Sequence, residues 1–142
     1  MFRLVALLLL VVAPPHFHGG HGWHVGSGSS QGWASTVPYR DCRDCVPPHR
    51  TLAHLPPGGI LIQLGNFRAE HPPQASPGKW PPRIRQKNLT GGGAEGIPRH
   101  VGYAEWFIRH NGVEHYLWVW FGRVHPTRRQ LARANAELRT AV

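Results

Sequence analysis

Four histidines, His16, His18, His21 and His24, fall within nine residues near the start of the chain. Imidazole is a ligand for Zn²⁺, Cu²⁺ and Ni²⁺, so a His-rich flexible stretch is a candidate metal site. Its alternative is a row of solvated side chains in a polar tail. Downstream, Asp41-Cys42-Arg43-Asp44-Cys45 contains the only two cysteines. In an oxidising compartment an even cysteine count reads as a disulfide, here Cys42–Cys45. The same spacing suits a redox pair, because the intervening Arg43 favours a thiolate. A redox pair of the thioredoxin kind opens a helix after a strand, however, and Val46-Pro47-Pro48 follows at once. The local disulfide is therefore the expectation.

Aromatic residues form the third candidate group. Tyr103, Phe107, Tyr116, Trp118 and Trp120 recur along two segments that flank Asn111-Gly112. Asn-Gly is the dipeptide that best accepts the positive φ angles of a two-residue hairpin turn. Fixing that turn pairs His110 with Val113, Arg109 with Glu114, Ile108 with His115 and Phe107 with Tyr116, and so on out to Tyr103 with Trp120. Alternation then gives the hairpin two unlike faces. Ala104, Trp106, Ile108, Val113, Leu117, Val119 and Phe121 share one of them. The five aromatics share the other with Glu105 and an Arg109–Glu114 pair. Strand aromatics most often pack in a core, and Trp80 and Phe67 are available to fold over this face and bury it. The sharper alternative is a sugar- or peptide-binding surface, with Tyr103, Tyr116, Trp118 and Trp120 stacking on the ligand and Arg109 beside them.

Other patterns carry less. Cys42, Cys45, His49 and His54 follow C-x2-C-x3-H-x4-H, which resembles a zinc knuckle over residues 42–54 and implies Zn²⁺ there. Oxidation to a disulfide would remove the two thiolates. Gly28-Ser29-Ser30-Gln31-Gly32 fits a nucleophile elbow but lies in a Gly/Ser stretch without the strand and helix that such an elbow needs. Gly91 to Gly96 fits GxGxxG, yet Ile97-Pro98 does not open a dinucleotide-binding helix. Asn88-Leu89-Thr90 is a glycosylation sequon only in a source that uses one. Glu105 beside Trp118 has the setting of a general acid in glycoside chemistry, but no second carboxylate is placed to work with it. A hydrolase acting on cell-wall glycan is thus the weakest of the readings.

These side chains need elements to hold them. Residues 14–57 read as a flexible His/Gly/Pro-rich linker carrying the CxxC, and residues 58–142 as the folded domain. Ile60-Leu61-Ile62-Gln63-Leu64 is a strand with Ile60, Ile62 and Leu64 on one face. Arg83-Ile84-Arg85-Gln86 reads as a short edge strand protected by charge. After Gly122 the period changes to that of a helix opening at Pro126-Thr127, with Leu131, Ala134, Leu138 and Ala141 as a narrow apolar stripe. That stripe needs a partner, and the aliphatic hairpin face is the one available. The expected fold is a small α+β domain: an antiparallel sheet of three to four strands, one C-terminal helix packed on one face, and a disordered region before it.

Length allows one modest domain, since the chain has 142 residues. Lys and Arg number 16 against 7 Asp and Glu, a formal charge of +9. A field of that sign favours anionic partners, including acidic surface polymers. Fourteen of the sixteen bases are Arg, scattered along the chain. Such a bias also follows from a GC-rich genome, and no specific nucleic-acid motif accompanies it. Residues 1–13 have the basic start and short apolar run of a signal peptide or membrane-targeting segment, too short for a bilayer span. No later segment is apolar enough to cross a membrane. The expected protein is secreted or extracytoplasmic, held by that segment if it stays uncleaved. It serves as a non-catalytic binding or structural module at the cell surface, with cell-wall glycan within reach. A metal-binding protein using Zn²⁺ or Cu²⁺ on the His cluster is the alternative.

Overall fold

The computed structural model describes residues 13–66 and 79–141. The segment expected to direct export, residues 1–13, lies outside them apart from Ala13, as does Phe67. The hairpin forms in the expected register. Strand β5 (Gly102–His110) pairs with β6 (Val113–Phe121) from His110 opposite Val113 through Tyr103 opposite Trp120. Asn111 and Gly112 take φ of 51° and 74°, the left-handed conformation that a tight turn of this hand requires. Strand β3 (Ile60–Asn66) lies antiparallel against the other side of β6, placing Gln63 opposite Trp118.

The sheet is larger than expected, with six strands rather than three to four. Strands β1 (His24–Ser27), β2 (Gln31–Ser35) and β4 (Thr90–Gly91) complete the order β1-β2-β3-β6-β5-β4, antiparallel throughout. Two of the added strands, and the short helix α1 (His49–Ala53), lie in the segment 14–57 whose composition reads as a linker. Close approach explains the misleading composition. A Cβ on Gly26 would meet the Trp33 ring at 2.3 Å, so the glycine is what lets that indole lie across β1. Pro15 and Phe17 are buried as well, and Phe17 joins the main core.

Residues 83–86 do not add a strand. Ile84 is instead held by an amide that imitates one: its N–H donates to Asn135 Oδ1 at 2.8 Å, and its carbonyl accepts from Asn135 Nδ2 at 2.9 Å. Asn135 belongs to helix α2 (Arg128–Leu138). Thr127 caps that helix, its hydroxyl accepting from Gln130 N–H at 3.1 Å while Gln130 Oε1 accepts from Thr127 N–H at 2.9 Å. The helix buries Ala134 and Leu138 against Ile60, Ile62, Leu117 and Val119, as the stripe requires. The opposite face is only partly covered. Leu52 and Leu55, within and just after α1, pack with Ile97 and Val101 over Leu61 and Trp120. Among the described residues no helix is long and apolar enough to cross a membrane.

Candidate functional site

Alternation along β6 sends Tyr116, Trp118 and Trp120 to the face away from α2, and their rings form a ladder. Trp118 stacks on Trp120 with centroids 5.4 Å apart and planes 8° from parallel, and Tyr116 stacks on Trp118 at 5.4 Å and 26°. Tyr103 flanks Trp118 at 6.0 Å, and Phe107 meets Tyr116 edge-on at 5.9 Å. Such pairs contribute about 0.5–1.5 kcal/mol each beyond their burial, so the ladder holds its shape. Burial changes along it. Trp120 is 0% exposed beneath the α1 layer, whereas Trp118 and Tyr116 are half-buried. Trp120 is therefore a core residue and not the ligand-stacking residue expected of it. Tyr103 packs at the border of the same core.

Beyond α1 the face opens into a pocket of about 370 Å³. Tyr116 and Trp118 line it together with Gln63, Asn66, Asp44 and Val46. Gly65, opposite Tyr116, brings no side chain to the space above the sheet. The disulfide Cys42–Cys45 forms as expected, and its loop becomes the pocket wall. That loop is tied to the sheet by Gln63, whose Nε2 donates to the Cys45 carbonyl and to Tyr39 Oη, both at 3.0 Å. Tyr39 stacks on Trp33 at 4.2 Å. Burial, and then the nearby Asp41 carboxylate, push its phenol up to about 12.

One buried acceptor of the pocket wall lacks a hydrogen-bond partner. Gln63 is 1% exposed, and its Oε1 accepts nothing; Asn66 Oδ1 also lacks a partner, but Asn66 pairs with His115 and sends its amide to the α2 face, where Nδ2 donates to the Ala13 carbonyl. Buried polar atoms without partners are uncommon enough to need an explanation. The carboxylate at the rim is Asp44. Its Oδ1 accepts from the N–H groups of Ser29 at 2.9 Å and Ser30 at 3.3 Å, and its Oδ2 from Ser29 Oγ at 3.0 Å. Desolvation is the largest single influence and works against ionisation, but the hydrogen bonds from Ser30 and Ser29 together outweigh it and hold the carboxyl below its usual range. Nearer the hairpin tip, Tyr116 Oη donates to Glu105 Oε2 at 2.6 Å. Burial and that carboxylate raise the phenol well above its ordinary value, so Tyr116 is a neutral donor.

The remaining candidates lie elsewhere. Arg109 is outside the pocket lining and bonds Glu114 at 2.6 Å with its side chain 65% exposed. Trp80 does not cover the aromatic face. It lies on the α2 side, stacked on His115 at 4.9 Å, because its loop runs along α2 and Pro81 lines a cavity with Leu138. His16, His18, His21 and His24 are all exposed, and the His16 and His18 rings are 6.4 Å apart. Among the described residues no three His, Cys, Asp or Glu side chains converge as a metal ion would require. The Cys42 and Cys45 sulfurs are spent on each other, which leaves no thiolate for a knuckle-like set with His49 and His54.

Tyr116 and Trp118, both singled out from the sequence, line the pocket; Gln63, Asn66 and Asp44 line it too and were not singled out. One signal was present: Gln63 is the polar residue in the apolar run of β3. Comparison with protein-family models, curated proteins and solved structures found no match to this chain.

Proposed function

We propose that the protein is an exported, non-catalytic binding module that holds a glycan of the cell surface against Tyr116 and Trp118. One observation carries this reading: two stacked, half-buried aromatic rings line a pocket of about 370 Å³ whose rim and walls are polar. Sugar rings present flat C–H faces to aromatic planes and hydroxyls to amide and carboxylate oxygens, and this pocket supplies both kinds of partner. Asp44 is the carboxylate among the lining residues, and it is held ionised, which suits accepting hydrogen bonds. Glycoside hydrolysis calls for two carboxyl groups, one kept protonated, so binding without cleavage fits better.

Pull-down of the full chain on insoluble cell-wall material tests the reading. Wild type is expected to be retained. Trp118→Ala and Tyr116→Ala should each weaken retention about tenfold or more, since a stacked ring is worth about 1–3 kcal/mol. Gly65→Val is the companion variant. A Cβ there meets nothing closer than 3.7 Å, so the strand is kept while the pocket is filled. Retention of all three variants at the wild-type level would overturn the proposal.

A further inference from the structure

We propose a second binding surface on the α2 side of the sheet, a basic groove that takes an acidic polysaccharide through the carboxylates of its uronate units. The first observation is a separation of charge across the sheet. Among the described residues, five of the six carboxylate side chains belong to the aromatic face. Asp41 accepts from the Arg50 and Thr51 N–H groups of α1, and Asp44 lines the pocket. Glu105 accepts from Tyr116, Glu114 pairs with Arg109, and Glu95 is near enough to Tyr116 to help raise its phenol. The sixth, Glu137 of α2, is 4% exposed and accepts from the Gly19 N–H. Exposed bases gather on this same side. Arg128, Arg129 and Arg139 lie on or just after α2. Arg83, Arg85 and Lys87 lie on the segment that Asn135 fastens to the helix, and Gln86 ties that segment to the Val124 carbonyl at 3.1 Å.

Two of these bases share a cavity of about 430 Å³. Ala132, Asn135 and Arg139 recur at helical spacing on one face of α2, and Pro81, Pro82 and Arg83 complete the lining. The Asn135 amide is spent: its Oδ1 accepts from Ile84, and its Nδ2 donates to the Ile84 and Leu131 carbonyls. The guanidinium groups of Arg83 and Arg139 bond no other described residue, so their forked N–H donors are open to a ligand. Such a fork pairs with both oxygens of a carboxylate. The proline rings and Ala132 add an apolar wall for the C–H face of a sugar, and a uronate unit carries that face and a carboxylate together. No aromatic side chain lines the groove, so it lacks the stacking platform of a single-stranded nucleic-acid site. The apolar stripe of α2 is buried in the core, so the helix has no free apolar face to lay on a lipid surface.

The experiment is calorimetric titration of the full chain with a galacturonate octamer and with the same octamer methyl-esterified. The acidic octamer should bind about tenfold or more tightly, in keeping with charge-assisted hydrogen bonds. Arg83→Gln and Arg139→Gln should each weaken its binding about fivefold or more, with melting temperatures close to wild type, since neither guanidinium bonds the protein. Arg109→Gln removes the same charge from the opposite face and should change binding less than about twofold, because salt screens charge at that distance. Trp118→Ala should bind the octamer as wild type does, so this surface and the aromatic pocket are tested separately. Equal binding of the ester, Arg83→Gln and Arg139→Gln variants at the wild-type level, or an equal loss in Arg109→Gln would each overturn the proposal. So would tighter binding of an equally charged oligodeoxynucleotide or of anionic phospholipid vesicles. An octamer that does not bind, or whose binding is lost in Trp118→Ala alone, would overturn it too.

Discussion

At the scale of single residues, neighbours divide Trp118 from Trp120. Both belong to one ladder, yet Leu52, Leu55 and Val101 bury the second and leave the first beside a pocket. Gln63 shows the same dependence on context: one amide anchors the disulfide loop with its nitrogen and presents an unpartnered oxygen. His115, on the opposite face, gives a pH prediction. Burial first, and His110 second, lower its pKa, so the unfolded chain binds the proton more tightly than the folded one. Its contribution to stability is complete above the ordinary histidine value of about 6.5 and is lost as pH falls from there through the lowered folded value. Urea midpoints measured between neutral and mildly acidic pH should therefore fall toward acid, and His115→Phe should flatten that slope. A slope unchanged in the variant would show that other groups produce it. The aromatic half of the site was legible from alternation around Asn111-Gly112. The polar half was not, because Gln63 and Asp44 meet Trp118 only through pairings and a loop far apart in sequence.

At the scale of elements, short-range rules succeeded. The hairpin register follows from its turn, and helix α2 follows from Pro126, the Thr127 cap and the apolar stripe. Strands β1 and β2 escaped because their glycines serve packing rather than flexibility: Gly26 lies under the Trp33 ring. Arg83 to Gln86 was read as a strand for a related reason. Ile84 has both backbone groups bonded, but to the Asn135 side chain instead of another backbone. The Cys42–Cys45 loop is the element closest to function. A loop this small limits the entropic stabilisation from its disulfide to about 2 kcal/mol. The double variant Cys42→Ser/Cys45→Ser should therefore melt only modestly below wild type while losing more glycan affinity than stability, since Asp44 and Val46 leave their places in the wall. Unchanged retention on cell-wall material would separate the loop from the site.

At the scale of the whole molecule, one sheet serves two purposes. The α2 face carries the larger core, while the other face is covered at one end by α1 and carries a pocket beyond it. The segment before β1 is part of this body rather than a tether to it. Phe17 lies in the core, the His18 N–H donates to Thr140 Oγ1 at 3.2 Å, and the Gly19 N–H donates to Glu137 Oε1 at 3.0 Å. The central claim is that ligand meets Trp118 and not Trp120, the other indole of the ladder. The most direct measurement is a ¹H–¹⁵N spectrum of the six indole N–H groups of the full chain during titration with solubilised cell-wall glycan. The Trp118 resonance should shift progressively to saturation while that of Trp120, 0% exposed, moves far less. A Trp118 resonance that stays in place while glycan binds would contradict the account.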